Sequence, residues 1–208
     1  MKNLNKNSMK LMAVILTMSL LIVGCSSNAE EHDKSTIDPG DSSVNIVVMA
    51  TYVDDDRLAS YSEAFDNTMD IEIEWIGITA GDSEVDPMST MAGMTKLSGM
   101  IASGEVDILI SDEENALRHG DNGNTFLSLS DAYDEETIAG FSHPPIKLPI
   151  RDEEGIETGD ETAEVGIDVS DDADLLQATS AQKLSAYIVV NAANMDNAKE
   201  LFQNLATK

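Results

Sequence analysis

Cysteine occurs once in the 208 residues, at Cys25. The chain therefore cannot form an internal disulfide bond or a metal site built from several cysteines. Histidine occurs three times, at His32, His119 and His143, and no pair has the spacing of zinc ligands. Aromatic residues make up only 4% of the chain, which weakens any assignment to a carbohydrate site built on stacked rings. We expect neither a metal ion nor another cofactor.

Basic residues are also scarce, with 12 Lys and Arg against 39 Asp and Glu and a formal charge of −27. Nucleic acids and anionic lipid headgroups bind positively charged surfaces, so neither is an expected partner. A calcium loop needs alternating oxygen donors, a central glycine and a terminal glutamate. The nearest match, residues 152–161, lacks that register. We interpret the acidic residues as solvated surface.

Sequence motifs of common enzymes are missing as well. There is no Gly-x-Ser-x-Gly nucleophile motif, no Gly-x-Gly-x-x-Gly motif and no phosphate-binding loop. The neighbouring Ser142 and His143 have no recognisable third partner for nucleophilic catalysis. The sequence therefore predicts a protein that is not an enzyme.

The N-terminal segment combines basic residues with a short apolar run. Lys2, Lys6 and Lys10 precede an uncharged, mainly apolar run at residues 11–23. A membrane-spanning helix needs about 20 apolar residues, so this run is too short to favour one. A basic start followed by a short apolar run is typical of a secretory signal. We predict that residues 1–24 are a signal peptide.

Residues 22–25, Ile-Val-Gly-Cys, resemble the lipobox of bacterial lipoproteins. The resemblance implies that Cys25 is lipidated, with a thioether to diacylglycerol, and becomes the first residue of the mature protein. The alternative is a free thiol in an ordinary signal peptide. Two acyl chains hold a protein stably on a bilayer, so the resemblance implies a lipid anchor on the extracytoplasmic face of the cell membrane.

The rest of the chain divides into a tether and a domain. Residues 25–43 comprise the lipidated cysteine and a polar segment in which only Ala29 and Ile37 are apolar, which predicts a flexible tether. Residues 44–208 are predicted to form one α/β domain. β-Branched and alternating patterns predict strands at residues 44–49, 70–76 and 106–110, each followed by a helix.

Three strand–helix units in a row predict a mainly parallel sheet flanked by helices. A fourth core strand is predicted at residues 186–190, followed by a helix whose apolar face carries Ala198, Leu201, Phe202 and Leu205. The interval at residues 142–185 is a reduced insertion with a predicted β-hairpin.

This order of elements resembles the first lobe of an extracellular solute-binding protein, the lipid-anchored receptor of an ABC importer. Three stretches carry the resemblance: residues 44–65, the Gly-Glu-Val-Asp-Ile-Leu-Ile segment at 104–110, and residues 187–205. The resemblance implies a single periplasmic-binding-protein-like lobe, an ABC permease as partner, and import of a small polar solute. Family members insert a complete second lobe before the returning strand, and residues 142–185 are too few to form one. The alternative is a surface protein-interaction module that kept one lobe and lost transport.

A ligand of an open parallel sheet binds beyond the carboxyl ends of the strands. Tyr52 at such an end could stack on a polar ligand, and Asp112 and Glu113 could accept hydrogen bonds from hydroxyls or bind a cation. Alternatively, Asp112 caps a helix and Tyr52 is a loop aromatic. The predicted ligand-binding residues are Thr51, Tyr52, Gly77, Thr79, Ser111, Asp112, Glu113 and Asn191.

Met88, Met91 and Met94 recur at every third position. Such a run could bind copper(I) through its thioethers, but the spacing places them on one helical face, where we expect adaptable core packing. Trp75 on the second strand could stack on a sugar, although core packing is the favoured interpretation.

Overall fold

The structure is a computed structural model that describes residues 43–66, 72–80, 87–120, 124–152 and 154–208. The predicted signal peptide, Cys25 and the tether as far as residue 42 lie outside the described residues. The strands are β1 Val44–Ala50, β2 Ile73–Thr79, β3 Ile108–Ser111, β4 Pro145–Ile146, β5 Pro149–Arg151, β6 Glu157–Glu161, β7 Gly166–Asp168 and β8 Ser185–Ile188. The helices are α1 Asp55–Asp66, α2 Pro87–Ser103, α3 Glu113–Gly120, α4 Leu129–Ala132, α5 Glu135–Ala139, α6 Ala173–Thr179 and α7 Met195–Thr207.

Six strands form a mixed sheet in the order β2-β1-β3-β8-β7-β4. β1 pairs in parallel with both β2 and β3, whereas β8 is antiparallel to β3 and to β7, and β4 is antiparallel to β7. The prediction of an α/β sheet flanked by helices is confirmed, but the prediction of a mainly parallel sheet is wrong. Asp168 at the end of β7 lies opposite Ser185 at the start of β8. The chain that joins them through α6 therefore returns to the same edge of the sheet instead of crossing to the opposite edge, which makes β8 antiparallel.

The reduced insertion contains the predicted hairpin. β5 and β6 pair as an antiparallel two-stranded sheet, and β4 and β7 continue the same antiparallel path inside the main sheet. At the tip, Asp152 Oδ1 accepts hydrogen bonds from the backbone N–H groups of Glu154 and Ile156 at 3.0 and 2.9 Å. Gly155 and Gly159 have positive φ angles, which other residues rarely adopt.

Hydrophobic cores lie on both faces of the sheet, as the alternation along β1 requires. Ile46 and Val48 belong to the core that also contains α1, α6 and α7, whereas Val47 and Met49 belong to the core with α2 and α3. The predicted apolar face of α7 is confirmed, because all four of its residues are buried. Trp75 packs edge-on against Tyr61 and Phe65, with ring centroids 5.1 and 5.7 Å apart. Core packing is therefore the observed role of Trp75.

The methionines of α2 do not behave as one buried face. Met88 and Met91 are 81% and 70% exposed, so the prediction that they are core residues is wrong. Met94 and Met100 are partly buried against the core on that side. The buried stripe of the helix runs through Thr90, Gly93 and Leu97, and Met88 and Met91 lie outside it.

The Gly-Glu-Val-Asp segment links three parts of the chain at the amino edge of β1 and β3. Gly104, with φ of +77°, follows the last turn of α2, and Val106 is fully buried. The fully buried Asp107 carboxylate accepts hydrogen bonds from the backbone N–H of Asn45 at 2.8 Å and of Asn194 at 3.2 Å. One side chain thus connects the start of β1, the start of β3 and the approach to α7.

Among the described residues, we find no helix that combines the length and apolar character needed to cross a bilayer.

Candidate functional site: a polar cleft at the carboxyl edge of the sheet

The topology creates a crevice between the ends of β1 and β3. From β1 the chain passes through α1 on one face to β2, and from β2 through α2 on the other face to β3. The connections therefore leave the sheet on opposite sides, and this is where open α/β sheets bind ligands. A cleft of about 600 Å³ opens at this point. Its lining consists of Thr51, Thr90, Asp112, Glu113, Glu114, Asn115, Arg118, Thr179, Ser180, Ala181, Gln182 and Lys183.

Four segments form the walls of this cleft: the residue after β1, α2 at Thr90, the first turns of α3 with the preceding Asp112, and the loop at residues 179–183 that leads into β8. The backbone N–H of Asp54 donates to the carbonyl of Ala178 at 2.8 Å, which ties the loop after β1 to the end of α6. In the segment at residues 179–183, Thr179 Oγ1 donates to the carbonyl of Leu175 at 3.0 Å and accepts from the N–H of Ala181 at 3.3 Å. The wall is therefore ordered by its own hydrogen bonds.

Ser180 ends α6 in a left-handed conformation, with φ of 53°. It is the one residue other than glycine with positive φ in the parts of the chain that the structure describes. For an L-residue this conformation is unfavourable by about 1–2 kcal/mol, and such strain often occurs at ligand-binding turns. Here it turns the chain from α6 back along the cleft toward β8.

Asp112 acts first as a helix cap. Its Oδ1 accepts from the backbone N–H of Asn115, and its Oδ2 accepts from the Nδ2 of Asn115, each at 2.9 Å. Helix capping therefore accounts for the hydrogen bonds of both carboxylate oxygens of Asp112. A carboxylate at a helix N-terminus is stabilised by the helix dipole, so Asp112 fixes the orientation of α3 beside the cleft.

Two ion pairs lie on the cleft walls. Lys183 Nζ is 3.7 Å from Glu113 Oε2, and both side chains are about half exposed. Arg118 pairs with Glu114 within α3 and also contacts the Sδ atom of Met94 at 3.3 Å. Three acidic and two basic residues line the cleft, so its charge is nearly balanced in a strongly acidic chain.

The structure brings three of the predicted ligand-binding residues into the cleft: Thr51, Asp112 and Glu113. Tyr52 follows Thr51 and is 50% exposed. Ser111 is buried, and its Oγ donates to the carbonyl of Asp112 at 3.0 Å.

The other three predicted residues have different surroundings. Thr79 Oγ1 accepts a hydrogen bond from the N–H of Val53 at 3.1 Å. Gly77 lies beneath the start of α1, where an added Cβ would be 2.5 Å from Asp55 Oδ1. Asn191 lies at the opposite edge of the sheet, where its Nδ2 donates to the carbonyl of Ile101. This misplacement follows from the orientation of β8, because the carboxyl end of an antiparallel strand points away from the cleft.

The same orientation explains why the lining residues before β8 are not among those predicted from the sequence. Because β8 starts at the cleft, the residues before it, including Lys183, form a wall. Arg118 lies one turn beyond Glu114 on α3, and this (i, i+4) spacing predicts an ion pair on one face of the helix. An antiparallel β8 would have predicted the segment at residues 179–183 as a wall of the cleft.

A second pocket of about 200 Å³ lies beside the ends of β7 and α7. His143 Nδ1 is 3.1 Å from Asp171 Oδ1, and the Tyr61 hydroxyl donates to Asp172 Oδ2 at 2.8 Å. Lys208 Nζ is 3.8 Å from the same oxygen of Asp172. These polar groups are paired with one another, and we find no cluster of three or more potential metal ligands among the described residues.

Comparisons with known protein families, with curated proteins and with solved structures find no match for this chain.

Proposed function

We propose that the chain is a membrane-anchored extracytoplasmic lipoprotein that captures a small polar solute, in the manner of a solute-binding protein that serves an ABC-type importer. The observation that carries this proposal is the polar cleft between the ends of β1 and β3. Its volume of about 600 Å³ lies within the range of roughly 300–1,000 Å³ that is usual for small-molecule sites. Its position is the one that open α/β sheets use for ligands.

Two features support the resemblance to one lobe of a solute-binding protein. β8 returns from the insertion to pair with β3 at the centre of the sheet, and α7 then packs on the sheet through Leu201 and Phe202. The resemblance implies such a returning strand and helix. The hairpin that occupies the insertion is the main departure, because it leaves the cleft bounded by one lobe.

The alternative, a surface protein-interaction module, is favoured by one observation. Tyr52 beside the cleft and Met88 and Met91 at the start of α2 are large apolar side chains that are at least half exposed. Exposed aromatic and methionine side chains are enriched in protein interfaces. Under this alternative these residues contact a protein, and solutes do not bind the cleft.

A thermal-shift panel of polar metabolites on the full-length protein in detergent tests the proposal. We expect one chemical class to raise the unfolding temperature, since a ligand present at about 100 times its Kd stabilises the native state by about 2.7 kcal/mol. For the ligand found, calorimetry on Glu113→Gln and Tyr52→Ala should show weaker binding without loss of folding.

The matched control is Glu105→Gln, because Glu105 is an exposed acid at the opposite edge of the sheet. It should bind the ligand as the unchanged chain does. A panel that gives no stabilisation contradicts solute capture and leaves the interaction module. Equal losses of affinity in the control and in Glu113→Gln contradict the assignment of the cleft.

The proposed lipid anchor has its own test. Cys25→Ser removes the thiol that would carry diacylglycerol, so we expect the protein to lose metabolic labelling by a fatty-acid analogue and to leave the membrane fraction. Ser27→Ala is the matched control and should stay membrane-bound. Retention of label by Cys25→Ser would exclude lipidation at this residue.

A further inference from the structure

We infer that the ligand of the cleft is a compact zwitterion, with a carboxylate and an ammonium group only a few bonds apart, as in an α-amino acid. This inference rests on the proposed function. It follows from the ion pairs on the cleft walls, from their exposure and from the charge of the whole chain.

Lys183 and Glu113 place opposite charges on two walls of the cleft. Lys183 comes from the loop after α6 and Glu113 from the first turn of α3, so their ion pair at 3.7 Å joins two walls of the cleft. A ligand that carries both charges can take the place of each partner, with its carboxylate on Lys183 and its ammonium on Glu113. Because the two protein charges are so close, the two ligand charges must also be close.

Opening this ion pair costs little free energy. The Lys183 and Glu113 side chains are each about half exposed. Ion pairs between exposed side chains contribute only about 0–1 kcal/mol, so replacing this one by contacts to a ligand has a small cost. Charge-assisted hydrogen bonds to a carboxylate are among the stronger polar contacts available.

The whole chain carries a formal net charge of −27. A field of this sign repels free anions and attracts cations to acidic patches over the whole surface. A zwitterion experiences neither net effect, and the nearly balanced cleft can select it locally. The neutral lining side chains, such as Thr51 and Gln182, offer hydrogen bonds to the remainder of the ligand.

The test uses the full-length protein and the standard α-amino acids as thermal-shift probes at millimolar concentration. The strongest is then compared by calorimetry with its decarboxylated amine, its deaminated acid and an ω-amino acid with widely separated charges. We expect each of these three analogues to bind at least about tenfold more weakly, which is the loss of one charged hydrogen bond. Lys183→Gln should lose affinity by a similar factor, Lys183→Arg should restore most of it, and exposed Lys147→Gln should have no effect.

The outcomes separate this inference from the proposed function. Stabilisation by sugars or other uncharged solutes, with none by α-amino acids, overturns the zwitterion assignment and leaves solute capture standing. Equal binding of the amine or the acid analogue also overturns it. No stabilisation by any solute contradicts both.

Discussion

Replacing Asp107 with alanine should lower the free energy of unfolding by about 4 kcal/mol. Hydrogen bonds to a charged group contribute about 1.5–3 kcal/mol each, and Asp107 accepts two of them, from the backbone N–H groups of Asn45 and Asn194. Alanine leaves both donors without this acceptor. The substitution therefore loosens β1 and the approach to α7 together, which urea unfolding followed by circular dichroism would measure.

Two further variants make this measurement specific. Asp107→Asn keeps one acceptor oxygen, so we expect about half of the loss. Glu105 is exposed and lies two residues before Asp107. Glu105→Ala should therefore change the free energy of unfolding by less than about 0.5 kcal/mol. An equal effect of Glu105→Ala and Asp107→Ala would show that the two hydrogen bonds do not account for the loss.

The protein should also unfold steeply as the pH rises above 10. Burial raises the pKa of Tyr61, Tyr133 and Tyr187 above the ordinary value for tyrosine. The negative charges of Asp172 beside Tyr61, and of Glu113 and Asp112 near Tyr187, raise the pKa of these two phenols further. The Tyr61 and Tyr133 hydroxyls donate hydrogen bonds to Asp172 and to the carbonyl of Lys199, at 2.8 and 2.7 Å, which only the protonated phenols can do.

The direction of the pH effect follows from linkage. Below about pH 10 these phenols are protonated in both states, and their stabilising contribution is complete. Above it the unfolded chain loses the protons first, so stability falls with increasing pH until the native pKa values are reached. Each tyrosine contributes a slope of about 1.4 kcal/mol per pH unit. Free energies of unfolding obtained from urea titrations between pH 9 and 12 should fall with this slope for each of the three tyrosines.

Phenylalanine variants identify the residues responsible. Tyr187→Phe and Tyr61→Phe should each reduce the slope by about 1.4 kcal/mol per pH unit. If neither variant changes the slope, alkaline unfolding has another origin, such as the general repulsion in a chain of this charge.

Local patterns were sufficient for much of the fold. The β-branched run of β1 and the alternation of β2 identify strands, because successive side chains of a strand pack on opposite faces of the sheet. The cap at Asp112 could be predicted because it joins residues three apart, and the apolar face of α7 because the spacing of its apolar residues is a local pattern. The direction of β8 could not be predicted from the sequence, because a strand has the same side-chain alternation whichever way it runs.

The candidate site shows the same limit. Thr51, Asp112 and Glu113 were found because they follow strands that are parallel, and a general rule places such residues together. Asn191 was misplaced and Lys183 missed because both depend on the direction of β8. Met88 and Met91 were misjudged because periodicity shows that residues share a helical face, but tertiary packing decides whether that face is covered.

The hairpin also affects how neighbouring copies of the protein can interact. All residues of β6 are exposed, and in the described part of the chain this strand pairs only with β5. Its outer edge offers backbone hydrogen-bonding groups that could template strand addition from another molecule. Glu157, Asp160 and Glu161 lie along this strand, so two copies cannot align these edges without bringing their carboxylates together. The acidic residues of this strand thus discourage edge-to-edge aggregation between copies of the protein.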